Sequence, residues 1–262
     1  MPVKLLFIGD IVGKSGRQAI SRELHRLVDR HMVDFVVANG ENAAGGFGLT
    51  EDVAGDLFKL GIDLLTSGNH IWDKRDSLDY IKREERLIRP ANYPEGTPGT
   101  GSAVLRTAAG IKVAMLNLEG RVFMNNLDCP FRTADREIDR LRAETPIIFV
   151  DFHAEATSEK ASLGWYLDGR VSAFIGTHTH VQTADERVLP GGTAYLTDAG
   201  MTGAFDSVIG VKKEEAISKF LSQLPVKFEI AKNNLRLNGV VVEIDEQSGK
   251  ALSVERINLC CE

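Results

Sequence analysis

Five short apolar runs are the feature that most constrains the fold of this sequence. They lack the polar alternation of half-exposed strands, which predicts strands that are buried on both faces. The runs are residues 3–9 (VKLLFIG), 34–40 (DFVVANG), 62–68 (IDLLTSG), 145–152 (TPIIFVDF) and 171–177 (VSAFIGT). Stretches with helical character lie between them. This alternation of buried strands and helices favours folds in which helices cover a sheet.

Two helix starts can be read from local chemistry. Ser15 is followed three residues later by Gln18, which is the pattern of a capping box. A second helix is expected to begin near Thr50, because acidic residues follow it in the first turn.

The remaining segments predict more β-structure. Residues 102–106 and 111–118 form an expected hairpin, and residues 226–259 are rich in strand patterns. No linker divides the chain. We therefore expect a single domain over residues 1–262, of class α/β (α+β), with two packed mixed β-sheets flanked by helices.

Charge and hydropathy narrow the class of partner. The formal net charge is −6 at pH 7, and a duplex nucleic-acid binder normally carries a basic face, so no duplex partner is expected. A small anionic substrate stays compatible, because bound metals reverse the local field. No apolar stretch approaches the length that crosses a bilayer, so no membrane partner is expected. A monomer and a homo-oligomer both fit these residues.

The cysteines indicate a reducing compartment. Cys129, Cys260 and Cys261 form neither a C-x-x-C pair nor an even framework, so a disulfide scaffold is not expected. The first apolar run is short, contains Lys4 and ends at Asp10, unlike an export signal. These observations predict a cytoplasmic protein.

Residues that can bind metals follow all five apolar runs. Four of the six histidines lie at these strand ends. Because sites in open α/β sheets form beyond the carboxyl ends of strands, adjacent strands would bring these groups together. Each residue alone is as compatible with a turn or a core position, but their repetition favours a site. The strand-end residues are Asp10, Glu41 with Asn42, Asn69 with His70, His153, and His178 with His180.

The chemistry of this set predicts a metal centre. Carboxylate, amide and imidazole groups without a cysteine suit iron, manganese or zinc. Apart from His70, these residues are too many for one tetrahedral ion, so a pair of ions roughly 3.5–4 Å apart is expected. His178 and His180 are two positions apart, and in an extended chain they would project on the same side and bind one ion each.

The order of the motifs GD, GEN, GNH, His153 and GTHTH resembles that of the calcineurin-like metallophosphoesterases. Their usual order is GD-x-H, GD, GNH, His and GH-x-H. Here no histidine follows Asp10, and Glu41 with Asn42 replaces an aspartate. These departures, with DFHAEATSEK and GTHTHVQT, resemble the YmdB-like branch. The resemblance runs from Val3 to about Gly203 and implies a metallophosphoesterase-like sandwich.

The resemblance also implies a ligand assignment. One metal would be bound by Asp10, Glu41, Asn42 and His180, and the other by Glu41, Asn69, His153 and His178. Glu41 would bridge the two, and Asn42 would take the place of the missing histidine. The branch is associated with iron or manganese and with phosphodiesterase activity on cyclic nucleotides. A small phosphoester or nucleotide, such as a 2′,3′-cyclic nucleotide, is the implied substrate.

The mechanism expected for such a site is phosphoester hydrolysis by a metal-bridging hydroxide, since metal binding lowers the pKa of water toward about 7. His70 would protonate the leaving alkoxide as general acid, with Asp73 orienting it. In the loop at residues 120–126, Arg121 would pair with phosphate and Phe123 would stack on a base. A surface arginine and a loop anchor are an equally good interpretation of these two residues.

Two other functions fit parts of the sequence. Residues 9–15 (GDIVGKS) resemble a P-loop of a nucleotide-binding protein, but three residues separate Gly9 from Gly13 where the P-loop has four. Tight binding of ATP without a transition metal would favour that function. A non-catalytic regulatory protein that retains the metal site is the other alternative, and phosphodiesterase assays with manganese distinguish it from an enzyme.

Overall fold

The computed structural model describes residues 2–75 and 77–261. Its strands are β1 (Pro2–Ile8), β2 (Asp10–Ile11), β3 (Phe35–Asn39), β4 (Leu64–Thr66), β5 (Ser102–Arg106), β6 (Lys112–Glu119), β7 (Ile148–His153), β8 (Ala173–Thr177), β9 (Arg187–Val188), β10 (Ala194–Leu196), β11 (Met201–Ala204), β12 (Leu235–Asp245) and β13 (Ala251–Cys260). Its α-helices are α1 (Gly13–His31), α2 (Glu51–Lys59), α3 (Ser77–Tyr80), α4 (Pro130–Arg142), α5 (Thr157–Tyr166) and α6 (Lys213–Ser222). A short 3₁₀ helix spans Asn69–Trp72.

The first apolar run forms a central strand of the first sheet. Within the described residues this sheet has seven strands in the order β2-β11-β12-β1-β3-β4, with β13 paired to β12. Strands β1, β3 and β4 are parallel, so their carboxyl ends lie at one edge. The predicted β-rich tail supplies β12 and β13, and β12 pairs antiparallel with β1.

The second sheet is also mixed. In the described part of the chain it has six strands, in the order β5-β6-β7-β8-β10-β9. Strands β6, β7, β8 and β10 are parallel. The predicted hairpin is confirmed, since β5 pairs antiparallel with β6 and Ser102 lies opposite Leu116. The parallel strands of this sheet therefore also end at a common edge.

The two sheets pack face to face through an apolar layer. Leu5 and Phe7 of β1 meet Met115 of β6 and Phe149 of β7 there, and all four are buried. The rings of Phe7 and Phe149 stack with their centroids 5.3 Å apart. Burying a side chain of this size stabilises the fold by about 1.5–3 kcal/mol. Helices α1 and α2 cover the outer face of the first sheet, and α4 and α5 cover that of the second. The predicted two mixed sheets flanked by helices are confirmed.

The start of α1 differs from its prediction. The helix begins at Gly13, and no side chain of the described residues caps it. Ser15 is buried, and its hydroxyl donates to the carbonyl of Ala231 at 2.5 Å. A partner so distant in sequence cannot be read from a local pattern. The same contact argues against the P-loop interpretation, because the Ser15 hydroxyl is engaged by the protein and is not free for a bound nucleotide. Helix α2, in contrast, begins at Glu51 as predicted, and Thr50 caps it by accepting from the amide of Val53.

Helix α6 was not predicted from the sequence. It follows the turn at residues 208–211 and lies beside the common edge of the two sheets. Ile217, Phe220 and Leu221 on it are spaced as neighbours on one helix face and are exposed, so α6 turns an apolar stripe toward solvent rather than toward the core. Among the described residues, no helix combines the length and the hydropathy that a membrane crossing requires.

Candidate metal centre

The carboxyl ends of the parallel strands of both sheets deliver the predicted ligands. Asp10 follows β1, Glu41 follows β3, and Asn69 follows β4. In the second sheet His153 is the last residue of β7, and His178 follows β8. The principle that sites form beyond the carboxyl ends of parallel strands therefore holds for both sheets at once. The structure brings together all seven predicted ligands, which are Asp10, Glu41, Asn42, Asn69, His153, His178 and His180.

His153 is the centre of one half of this cluster. Its Nε2 atom lies 3.0 Å from Oε1 of Glu41. It also lies 3.2 Å from Oδ1 of Asn69 and 3.0 Å from Nδ1 of His178. Ligand atoms of Glu41, His153 and His178 lie within 4.8 Å of one another, as a metal ion requires. This half contains the residues that the resemblance assigns to one metal.

His180 and Asn42 form the other half. Nε2 of His180 lies 3.2 Å from the Asn42 amide and 3.9 Å from Oδ1 of Asp10. The Asn42 amide also lies 3.2 Å from Oε1 of Glu41. Rotating this amide by 180° would present its oxygen to a metal instead. Glu41 therefore contacts members of both halves.

The segment that carries His178 and His180 is not extended, so the condition under which they would project on the same side is not met. His178 has a φ of 99° and His180 has a φ of 65°, in the left-handed region that residues other than glycine rarely adopt. Asp198 holds this turn by accepting from the backbone amide and the hydroxyl of Thr179. The buried ammonium of Lys160 pairs with Asp198 at 2.6 Å. Strain at these residues is maintained by their surroundings, which is common at functional sites.

In His153 and His180, a hydrogen bond at Nδ1 points away from the cluster. The Nε2 atom of each ring therefore faces the cluster. The carbonyl of Ile209 can only accept, so Nδ1 of His180 carries the proton in their 2.8 Å contact. Nδ1 of His153 lies 3.0 Å from the hydroxyl of Thr177, which donates to Asp151 at 2.7 Å. This arrangement is typical of metal-binding histidines, whose second nitrogen is fixed by a hydrogen bond.

Asp151 has a place in the site that the sequence reasoning did not assign. It lies two residues before His153 on β7, so both side chains project from the same face of the strand. It is fully buried, and burial raises the pKa of its carboxyl to about 7. Asn39 and Thr66 also donate to it. The signal in the sequence was the spacing of an acid and a histidine on one strand.

The electrostatics of the cluster favour a cation. Burial opposes the ionisation of Glu41, but the charge of His153 and hydrogen bonds from His153 and His70 lower the pKa of this carboxyl to about 2. Burial also disfavours a charged imidazole, yet the carboxylates of Glu41 and Asp10 raise the pKa of His153 to about 9. Without a metal, these carboxylates therefore favour the protonated form of His153. Binding a metal would displace that proton.

Asp10 shows directly that the residues fit a metal. Burial raises the pKa of this carboxyl, and its Oδ1 atom is buried without a hydrogen-bond partner among the described residues. An unpartnered buried carboxylate oxygen is costly unless it binds a cation. Oxygen and imidazole donors together suit a transition metal rather than a soft-metal site. The cluster is therefore a candidate site for divalent metal ions.

His70 lies at the edge of the cluster and lines the adjacent cavity. Its backbone amide donates to Oε2 of Glu41 at 3.0 Å. Its Nδ1 atom lies 2.8 Å from Oδ2 of Asp73, so the expected contact between these side chains is present. The ring also meets Phe47 edge-on, with centroids 5.2 Å apart. The imidazole is thus held between a carboxylate and an aromatic ring.

Arg121 and Phe123 lie away from this cavity. Neither is among the described residues that line it. The guanidinium of Arg121 contacts Sγ of Cys129 at 3.4 Å, and Phe123 is exposed. Their role in substrate binding stays a prediction that these contacts do not support.

Glu119 is a further strand-end acid that the sequence reasoning passed over. It ends β6 and lies opposite His153 of β7. Both its carboxylate oxygens are buried, and burial raises the pKa of this carboxyl to about 7, while the charge of His153 and contacts with Tyr93 and Asn125 oppose the rise. The general signal that located the other ligands, an apolar strand ending in a group that can bind a metal, is present at this position, although here the glycine follows the acid instead of preceding it.

Two mixed sheets that deliver carboxylate, amide and imidazole ligands to one shared edge define the class of metallophosphoesterases. The chain belongs to the YmdB-like protein family, whose profile matches residues 6–257. The family predicted from the motifs is therefore confirmed.

Relatives with a stated activity are similar over almost their entire length. The chain is 51% identical over 255 residues to a Bacillus subtilis protein named 2′,3′-cyclic-nucleotide 2′-phosphodiesterase, covering 97% of this chain and 96% of that protein. A crystal structure described as a novel phosphatase from Mycoplasma pneumoniae matches with a TM-score of 0.93 and 35% identity, covering 99% of this chain and 94% of that one.

A crystal structure of a hypothetical protein from Thermus thermophilus matches with a TM-score of 0.92 and 39% identity. The match covers 99% of this chain and 100% of the Thermus thermophilus chain. These similarities confirm the predicted fold class and the predicted enzyme class, a phosphoric ester hydrolase.

Proposed function

We propose that this protein is a dinuclear-metal phosphodiesterase/phosphatase that hydrolyses the phosphoester of a 2′,3′-cyclic nucleotide. The observation that carries the proposal is the position of Glu41. Its Oε1 atom lies 3.0 Å from Nε2 of His153 and 3.2 Å from the Asn42 amide, so one carboxylate contacts both halves of the cluster. The substrate class rests on the Bacillus subtilis relative.

Two ions would occupy the halves, with iron or manganese favoured over zinc. Asp10, Glu41, Asn42 and His180 would hold one ion, and Glu41, Asn69, His153 and His178 the other. When bound, the metal pair supplies a water of lowered pKa as nucleophile and offsets the charge that develops on the phosphoryl oxygens.

His70 acts on the leaving oxygen in this proposal. Hydrolysis adds water across the bond between phosphorus and O2′ and leaves a nucleoside 3′-phosphate. O2′ departs as the oxygen of a weak acid, so it needs a proton in the transition state. The contact of Nδ1 with Asp73 leaves Nε2 of His70 to donate that proton, and the carboxylate stabilises the charged imidazole. His70 lines the cavity beside the cluster, where a leaving oxygen would lie.

We also propose that the protein acts in the cytoplasm. Cys129, Cys260 and Cys261 are free thiols in the structure, which supports a reducing, cytoplasmic location.

A substrate panel tests the proposed function. Metal-stripped protein is reloaded with Mn²⁺ and given 2′,3′-cyclic AMP, 3′,5′-cyclic AMP and adenosine 3′-phosphate, with products separated by chromatography. We expect adenosine 3′-phosphate from the first substrate at the highest kcat/KM. Absence of phosphoester hydrolysis by the reloaded protein contradicts the activity, whereas preference for the 3′,5′-cyclic ester contradicts the substrate.

A further inference from the structure

The cavity beside the ligand cluster has a second wall with quite different chemistry. The cavity has a volume of about 520 Å³, which suits a nucleotide-sized ligand. Glu41, Asn42 and His70 line it on the side of the cluster. Much of the remaining lining is an apolar group, which we call the apolar wall and which consists of Val208, Ile209, Val211, Phe220, Phe228 and Ile230.

Parts of the apolar wall are exposed. Phe220 is 76% exposed and Ile209 is 54% exposed. In that position neither side chain contributes much to the free energy of unfolding, because little of its surface is removed from water. Exposed apolar side chains that border a cavity next to a polar cluster are typical of ligand-binding surfaces.

The turn that carries Ile209 is strained. The backbones of Val208 and Val211 exchange hydrogen bonds of 3.0 and 3.1 Å across a two-residue turn. Ile209 has a φ of 49° and Gly210 has a φ of 101°. Asparagine followed by glycine is the usual pair in such a turn, and a β-branched residue is a clear outlier there. The strain places an isoleucine side chain against the cavity.

The apolar wall and the cluster are joined by the same residue. The carbonyl of Ile209 accepts from Nδ1 of His180 at 2.8 Å. A phosphate bound at the cluster is thus within one nucleoside's length of the wall. The base, being attached to the ribose that carries the phosphate, can reach the wall.

The wall offers few groups that could read the edge of a base. Among the described residues on it and on the α6 face beside it, Lys219 is the charged one, and its ammonium lies 5.1 Å from the centroid of the Phe228 ring. The side chains of the six wall residues have no hydrogen-bond donors or acceptors. Such a surface discriminates by the apolar area it covers.

We propose that the apolar wall binds the nucleobase of the substrate by apolar and stacking contacts, and that it accepts all four bases with purines preferred. This inference rests on the proposed function and specifies its substrate. Every base has a stacking face, so stacking tolerates different bases, and the larger purines cover more of the wall.

The test compares two neighbouring residues and two substrates. Phe220 lines the cavity, whereas Leu221 is 82% exposed and is not among the lining residues. The substrates are adenosine 2′,3′-cyclic phosphate and the 2′,3′-cyclic phosphate of methyl riboside, which lacks the base. The measured quantity is the ratio of their kcat/KM values. For Phe220→Ala we expect a roughly tenfold lower ratio, and for Leu221→Ala an unchanged ratio.

Binding of the products to the same proteins is an independent measurement. Calorimetry should show that Phe220→Ala lowers the binding affinity for adenosine 3′-phosphate but not the affinity for methyl riboside 3-phosphate. An unchanged ratio in Phe220→Ala, or an equal fall in both variants, overturns the inference. If the wild-type protein hydrolyses the base-free ester as well as it hydrolyses the nucleotide, the apolar wall does not bind the base. The proposed phosphodiesterase function would still hold in that case. Preference for one base by more than about a hundredfold also overturns the inference, because that requires hydrogen-bond recognition.

Discussion

The two walls of the cavity differ in burial and in how their residues are held. In the ligand cluster Glu41 and His153 are buried, and each contacts several polar groups. On the apolar wall Phe220 and Ile209 are exposed and have no polar side-chain partners by their chemistry. The cluster is therefore fixed by many polar contacts, whereas the wall is open to solvent. In the proposals above, chemistry and base binding are assigned to these two different walls.

Backbone strain shows the same contrast. His178 and His180 on one side and Ile209 on the other all have positive φ values. Each such residue costs on the order of 1–3 kcal/mol. In the cluster, Asp198 and Asp10 accept from the strained turn and help to offset the cost. The turn at Ile209 is closed by backbone hydrogen bonds.

The largest predicted effect is at Asp10. Asp10→Asn keeps the shape of the side chain but removes the charge that would hold a metal, so we expect activity to fall roughly a thousandfold or more while the fold is retained. His180→Ala should behave alike. Kinetics, metal analysis and circular dichroism check these outcomes.

Asp63→Asn is the matched control for Asp10. Asp63 precedes β4 at the opposite edge of the same sheet and accepts from the amide of Val36 at 2.8 Å. Full activity is expected. An active, metal-replete Asp10→Asn protein would remove Asp10 from the cluster.

The next effect is at His70, which lies where the two walls meet. For His70→Ala we expect metal to stay bound and kcat to fall roughly 10²–10⁴-fold, more for an alkyl leaving group than for nitrophenol. His25→Ala, on the exposed face of α1, is the control. Equal losses with both leaving groups would show that His70 is not the proton donor.

Asp151 tests whether the network behind the cluster tunes metal binding. Removing its charge in Asp151→Asn weakens the hydrogen bonds that orient Thr177 and thereby His153. Metal affinity should fall about 10–100-fold. Saturating Mn²⁺ should restore most of the activity of Asp151→Asn. It should not restore the activity of a variant that has lost a metal ligand, such as Asp10→Asn. Unchanged affinity measured by calorimetry would contradict this role.

The smallest effect concerns the strained turn of the apolar wall. Ile209→Asn places the residue preferred by such a turn, so we expect stability to increase by about 1 kcal/mol and Tm by roughly 2–4 °C. Ile217→Asn on α6 changes a similarly exposed side chain in a helical backbone, and no increase is expected there. Thermal unfolding of both variants measures the difference. A lower Tm for Ile209→Asn would show that its side chain contributes to folding after all.

The ligand cluster was predictable because its signal is local. A buried strand that ends in an acid, an amide or a histidine can be recognised without knowing the rest of the chain, and seven such residues converge as expected. Glu119 follows the same kind of apolar run, but the predicted hairpin strand stopped at residue 118. Its position opposite His153 depends on strand pairing, which no single run reveals.

The apolar wall was not predictable for physical reasons. Helix α6 carries an apolar stripe like that of a core-packed helix, but the stripe is exposed, and a pattern alone does not distinguish these two positions. The positive φ values of His178 and His180 accompany contacts of their turn with Asp198, which is distant in sequence, whereas Ile209 lies in a local turn whose Ile-Gly pair departs from the usual Asn-Gly. The failed cap at Ser15 also has a long-range origin, since its partner is the carbonyl of Ala231. Long-range partners determine the histidine turn and this helix start.

Glu41 is proposed to join two metal sites in one cluster. The most direct test is to titrate metal-stripped protein with Mn²⁺ and to count bound ions by metal analysis, with electron paramagnetic resonance detecting coupling between them. We predict two ions per chain with an exchange-coupled signal, and loss of that coupling in Glu41→Gln. One ion per chain, or two ions without coupling in the wild-type protein, would contradict the account.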